Sequence, residues 1–297
     1  MSEIDLIASD AVLALARELA LPDAVCERLA ESAGWSLRED GAAQCMALTD
    51  PDDAPHAWAL LHDALAVKDA DGMGMLALYL AAACHTRARY RELGMPDEVF
   101  FDTMGCFSRF LEETRQSTGH FVFDRGFWAW RQLSCRLFRL GTLEFEYRTV
   151  APHEPLPPGL APGDAILSVH IPSDACLSDA ALRDSYNMAQ CFFAGPGAAV
   201  CAQGMPHTVL CRTWLLAPAL KTLLPAGSGI LRFGADYVLY IEEPENEDFY
   251  RWLFGGKKPL EQLPRETSLQ RAVAAHLAQG GKIGAAGGVF VGDMSML

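Results

Sequence analysis

Nine cysteines stand in this 297-residue chain, yet no two form a Cys-x-x-Cys pair. An odd number, scattered singly, is neither a disulfide framework nor a zinc pattern. Their ordinary reading is as small buried apolar residues. No long apolar run exists either. The most apolar helical stretch, Gly72–Ala83, follows Asp71 and is shorter than a bilayer span requires, so no membrane partner is expected. Positive charge is scarce: Lys and Arg number 24 against 38 Asp and Glu, a net charge of −14. A field of that sign repels phosphate backbones, which argues against nucleic acid and favours a cationic small molecule. Met1–Asp10 is acidic and lacks the basic flank and apolar core of a secretion signal, so the expected location is cytoplasmic. There is no His-x-x-x-His, no Gly-x-x-x-x-Gly-Lys phosphate loop and no Gly-x-Ser-x-Gly elbow. Asp69-Ala-Asp71 lacks the further ligands of a calcium loop and reads as an acid cluster at a helix start. No metal is expected.

What is present divides the chain in two. A length of 297 residues suits two domains better than one core, and half the residues are apolar. Up to Phe138 there are 22 acids and 12 bases, and beyond it 16 and 12. Residues 1–138 carry the helical period. A helix capped by Ser9 or Asp10 is followed by one opening at Pro22, then by Pro55–Val67, Gly72–Leu93, Pro96 to about Ser117, and Phe127–Leu140. Gly94 ends the fourth of these.

From residue 139 onward the period changes. Gly141–Thr149 alternates, with Leu143, Phe145 and Tyr147 on one face and Glu144 and Glu146 on the other. Ala151–Gly163, rich in Pro and Gly, is a loop. Ala165–Ile171 reads as a strand, Pro172–Leu177 as a loop, Ser178–Phe193 as a helix, Thr208–Trp214 as a strand, and Leu215–Leu224 as a helix. That order is a crossover unit, which sets two strands side by side with their carboxyl ends at one edge. Gly229–Ile241 is expected as a third strand bent at Gly234, and Pro244–Asp248 as an acidic turn. Thr267 caps a helix to Ala278, Gly280–Gly288 is flexible, and Gly287–Val291 is an edge strand. The expected class is α+β, an all-helical N-terminal domain followed by a mixed-sheet α/β domain of four to six strands.

Several segments resemble a family of bacterial proteins described as an N-acyltransferase N-terminal domain followed by a GNAT-like C-terminal domain. They are 136–146, Ser168-Val-His-Ile-Pro172, 211–216, 229–233 and 263–271, with helical segments around Leu93–Phe110. The resemblance implies acyl transfer from acyl-coenzyme A, acetyl-CoA being the default donor, to an amine. It also implies that two neighbouring strands splay to admit the thioester. On this chain they are Ala165–Ile171 and Thr208–Trp214. The pyrophosphate would then meet the loop after the first, at Ile171, Ser173, Asp174, Ala175 and Cys176.

That loop departs from the family's glycine-rich signature. It has no glycine, and Asp174 would repel a diphosphate, so Asp174 or Ser178 reads more simply as a helix cap. Gln279-Gly-Gly-Lys-Ile-Gly284 follows a helix and reads as its C-terminal turn. His170 could serve as general base, its ordinary pKa suiting removal of an ammonium proton, or could be a strand-end histidine bonded to backbone. Cys211 could protonate the leaving thiolate or act as a nucleophile, or be a buried apolar residue. Trp214 could line a pocket mouth or pack in the core. Arg139, Arg232 and Arg271 could pair with phosphate or carboxylate, or tie the domains through acidic partners. Trp128 and Trp130 read as helix packing. Two other functions stay open beside acyl transfer: a non-catalytic binding module, suggested by the glycine-free loop, and a hydrolase using Cys211 with His170.

Overall fold

A computed structural model describes residues 10–31 and 39–292, and the expected cap at Ser9 lies outside them. The chain divides into two compact units, Met1–Arg139 and Leu140–Leu297. Among the described residues no helix is long and apolar enough to cross a membrane.

The first unit is built on the helix Met73–Glu92, which is buried on nearly every side. Helices Asp10–Glu18, Asp23–Glu31, Glu39–Ala47, Ala54–Leu65, Asp97–Met104 and Gly126–Leu133 pack against it or its neighbours. Asp69 starts it by accepting the N–H groups of Gly74 and Met75 at 2.8 and 2.7 Å. This satisfies donors that the helix itself leaves open. Gly72 precedes it at φ 72°, and a Cβ there would lie 2.0 Å from the Phe123 carbonyl oxygen, so only glycine fits. Gly94 ends the helix in the left-handed conformation, with the Met95 N–H returning to the Tyr90 carbonyl at 2.8 Å.

Two expectations for this unit are corrected, and one helix is added. The helix expected from Pro96 to Ser117 is two, Asp97–Met104 and Cys106–Thr118, divided at Gly105. Glu39–Ala47 is an additional helix. The helix expected over Phe127–Leu140 stops at Leu133, because Cys135 takes φ 56° and turns the chain out of helical geometry. The chain then enters strand β1, Leu137–Leu140.

The second unit holds β2 (Leu143–Thr149), β3 (Ala165–His170), β4 (Val209–Thr213), β5 (Tyr237–Glu243) and β6 (Ala285–Phe290). With β1 they form a six-stranded sheet in the order β1-β2-β3-β4-β6-β5. The pair β3/β4 is parallel, while β2/β3, β4/β6 and β5/β6 are antiparallel, so the sheet is mixed. The helix Asp179–Ala194 makes the crossover from β3 to β4 and covers one face. Its Tyr186 stands edge-on to Phe145 (5.7 Å), stacks on Phe290 (4.1 Å) and bonds its hydroxyl to that of Tyr237 (2.7 Å). Ser185 closes the β1–β2 turn from the same helix, accepting the Leu143 N–H at 3.0 Å and donating to the Leu140 carbonyl.

Here too some expectations give way. Residues Gly229–Ala235 are helical, capped by Ser228 through the Ile230 N–H, and only Tyr237–Glu243 is strand. The run after β4 is a 3-10 turn, Trp214–Leu216, and a short helix, Leu220–Leu223. Pro218 separates the two by holding Ala217 extended at ψ 129°. Asp248–Phe254 adds a helix. Gly280 and Gly284, both at positive φ, form the turn into β6, which is an interior strand between β4 and β5 and not an edge. The cap at Thr267 is present as a full capping box with Gln270.

Candidate functional site

Residues opposite one another in a ladder point to the same face, and the direction alternates along each strand. His170 is opposite Glu144, Ser168 is opposite Glu146, and Ser168 also pairs with Leu210 of β4. His170, Ser168, Glu144, Glu146, Leu210 and Arg212 therefore share one face. Val169 and Cys211 share the other, beneath the Asp179–Ala194 helix.

The parallel ladder between β3 and β4 is short. It pairs Leu167 with Val209 and Ser168 with Leu210, then stops. Beyond it β3 stays with β2 as far as His170, and β4 stays with β6 as far as Thr213. Each strand follows its outer neighbour, so the sheet opens at its carboxyl edge. His170 stands on one lip, with its Nε2 3.0 Å from Glu146 Oε2. Arg212 stands on the other, forked onto Glu243. Glu144 and Glu146 are 2 % and 4 % exposed, so the alternating acids of β2 do not face open water. Glu146 was not singled out by the sequence. Its signal was the spacing of the two acids on one strand face, which becomes meaningful only once the β2/β3 register is known.

Cys211 is not brought to His170. It is fully buried on the opposite sheet face, and burial pushes its thiol well above the ordinary thiol range. A thiol so placed is a poor nucleophile and has no imidazole base on its side. Trp214 is buried in a cluster with Leu220, Phe249, Phe254 and Val273, which is core packing.

The loop after β3 holds its own shape. The Ala175 N–H donates to the Pro172 carbonyl at 3.0 Å, and the Cys176 N–H donates to Thr142 Oγ1 at 2.6 Å. Ser178 is the cap of the following helix and accepts the Ala181 N–H. Cys176 is exposed, and the Ser178 hydroxyl 3.5 Å from its sulfur draws the thiol below its usual value. Ile171, Ser173 and Asp174 continue directly from the His170 lip.

The arginines take local partners. Arg232 pairs with Asp179 at 3.3 Å, and Arg271 donates to the carbonyls of Arg265 and Glu266, all within the second unit. Arg139 donates its backbone N–H to Thr103. The Arg131 guanidinium lies 4.4 Å from the ring centroids of both Trp128 and Trp130, which extends helix packing by cation–π contact. Among the described residues no group of three or more His, Cys, Asp or Glu is gathered for a metal ion.

The chain matches two family descriptions in tandem: N-acyltransferase N-terminal domain over residues 6–135, and GNAT-like C-terminal domain over residues 137–290. No curated protein gives a significant match. Among solved structures, an acyltransferase in complex with decanoyl-CoA and teicoplanin is 23 % identical, with a TM-score of 0.76 over 97 % of this chain and 93 % of that one. An acyltransferase variant in complex with octanoyl-CoA is 23 % identical, with a TM-score of 0.72 over 97 % and 93 %. An acyltransferase in complex with decanoyl-CoA is 20 % identical, with a TM-score of 0.70 over 93 % and 86 %. At these identities the likeness is one of fold. The tandem match spans both units, and the chain belongs to the family that joins an N-acyltransferase N-terminal domain to a GNAT-like C-terminal domain.

Proposed function

We propose that the protein transfers an acyl group from acyl-coenzyme A to an amine on a small molecule, with the reaction in the opening between β3 and β4. The observation that carries this reading is the two-rung ladder, which opens where His170 and Glu146 meet. The structurally similar acyltransferases, bound to acyl-CoA and in one case also to teicoplanin, support it. The Glu146 carboxylate beside Nε2 holds the imidazole in place. His170 takes a proton from the acceptor ammonium. The freed amine attacks the thioester carbonyl, the C–N bond forms and the C–S bond breaks; the second proton shed by the attacking nitrogen goes to the departing sulfur, so coenzyme A leaves as the thiol. The net charge of −14 favours the approach of a cationic acceptor. The coenzyme meets the loop after β3, residues Ile171, Ser173, Asp174, Ala175 and Cys176, whose shape is held by the Ala175 N–H on the Pro172 carbonyl and the Cys176 N–H on Thr142.

Thermal unfolding with acyl-CoA tests the donor. A ligand at a hundredfold its Kd adds about 2.7 kcal/mol, a readily measured shift. Absence of a shift with every chain length defeats the reading. His170→Gln tests the base: turnover with a panel of primary amines, followed as coenzyme A release, should fall by roughly 10²–10⁴-fold with acyl-CoA affinity retained. Unchanged turnover removes His170 from the chemistry.

A further inference from the structure

Below the opening, the face of β3 and β4 that carries His170 and Arg212 becomes apolar. Below His170 on the same face of β3 come Ser168 and then Ile166, and below Arg212 on β4 comes Leu210. Ile166 and Leu210 are buried with Val150, and Leu156, Leu160, Tyr240 and Val289 pack against them. Polarity therefore falls along the face, from imidazole and guanidinium at the lips to hydrocarbon at the base.

Leu156 and Leu160 belong to the connection from β2 to β3, residues 150 through 164, fifteen in all. Two to five residues are enough to join antiparallel neighbours. The extra length is structured. Its base is clipped by the Val150 N–H to the Asp164 carbonyl and the Gly163 N–H to the Val150 carbonyl, both 2.9 Å. Arg148 of β2 forks onto Glu154 at 2.7 and 2.5 Å, and both side chains are largely buried. Arg212 and Tyr240 lie within electrostatic reach of the same carboxylate. Pro152, Pro155, Pro157, Pro158 and Pro162 restrict the backbone between these points.

We infer that this connection is a strap closing the far end of the acyl channel, and that Leu156 and Leu160 set the longest acyl chain accepted. The inference rests on the acyl-transfer reading above. A thioester carbonyl beside His170 directs an apolar tail away from the charged lips, and the hydrocarbon of β3 and β4 on that face lies toward Ile166 and Leu210. From His170 to Ile166 is four residues of strand, roughly 13 Å at about 3.3 Å each. A short acyl group ends before the strap, whereas a long one meets the two leucines.

Isothermal titration of the whole protein with acetyl-, octanoyl-, decanoyl- and tetradecanoyl-CoA tests this. The wild type binds tetradecanoyl-CoA at least about tenfold more weakly than its best shorter donor, the discrimination an apolar wall supplies. Leu156→Ala and Leu160→Ala remove that difference and leave acetyl-CoA affinity unchanged. Glu154→Gln, which loosens the strap without deleting hydrocarbon, weakens the discrimination in the same direction. Should an alanine variant fail to fold, Leu160→Val gives the same readout with a smaller step. Folded variants that keep the wild-type chain-length profile overturn the inference, as does a wild type that binds tetradecanoyl-CoA as tightly as octanoyl-CoA. A wild type that binds no acyl-CoA defeats the acyl-transfer reading, and the inference falls with it.

Discussion

Two cysteines separate what residue type suggests from what position permits. Cys211 stands on a crossover strand near the opening, where a nucleophile would be sought, yet it is fully buried on the face under the Asp179–Ala194 helix and its thiol is pushed up. Cys176, in the glycine-free loop, is exposed and lowered by Ser178. Reaction with iodoacetamide depends on the thiolate and on access. In the native protein Cys176 should therefore be alkylated well before Cys211, which should react only on unfolding. Peptide mass spectrometry against time reads the order directly, and native labelling of Cys211 at the rate of Cys176 would contradict its burial. The same residues show how far the site was legible. His170 could be named because it is the only ionisable side chain of β3. Its companion Glu146 could not, because the pairing is set by register between strands, and the sequence of one strand does not contain it.

Elements with a strong local signal were readable and those fixed by tertiary context were not. Thr267 with Gln270 three residues on is a capping box, and the helix begins there. Pro218 and Gly105 are breakers that interrupt the helical runs expected across them. Gly229–Ala235 misled because its aromatic and branched residues suit a strand, while the Ser228 cap and the spacing of Ile230 and Phe233 decided for helix. The turn between β1 and β2 depends on a long-range contact that no local pattern announces. Ser185, from a helix more than forty residues further along, accepts the Leu143 N–H and donates to the Leu140 carbonyl in a buried setting. Ser185→Ala leaves both backbone groups without that partner, and an unsatisfied buried polar group costs about 1–3 kcal/mol. Urea unfolding should show a loss of that size with an unchanged m-value. A loss below about 0.5 kcal/mol, the usual range for surface substitutions, would mean that the hydroxyl does not close the turn.

At the scale of the molecule the dominant quantity is charge. The chain carries −14, and the acids are in excess in both halves. The proposed donor is a polyanion and the proposed acceptor a cation, so one field acts on them with opposite sign. Salt removes that field: the Debye length falls from about 30 Å at 0.01 M to about 8 Å at 0.15 M. Raising ionic strength across that range should speed association of octanoyl-CoA, because it is repelled at distance, and should raise KM for a cationic amine, because its attraction is screened. Stopped-flow binding gives the first and steady-state coenzyme A release gives the second. The paired measurement matters because a general effect of salt on the fold would move both in one direction. Opposite responses require a net negative field acting on two oppositely charged substrates. Binding of both substrates weakened, or of both strengthened, would show that the net charge of the molecule does not govern their approach.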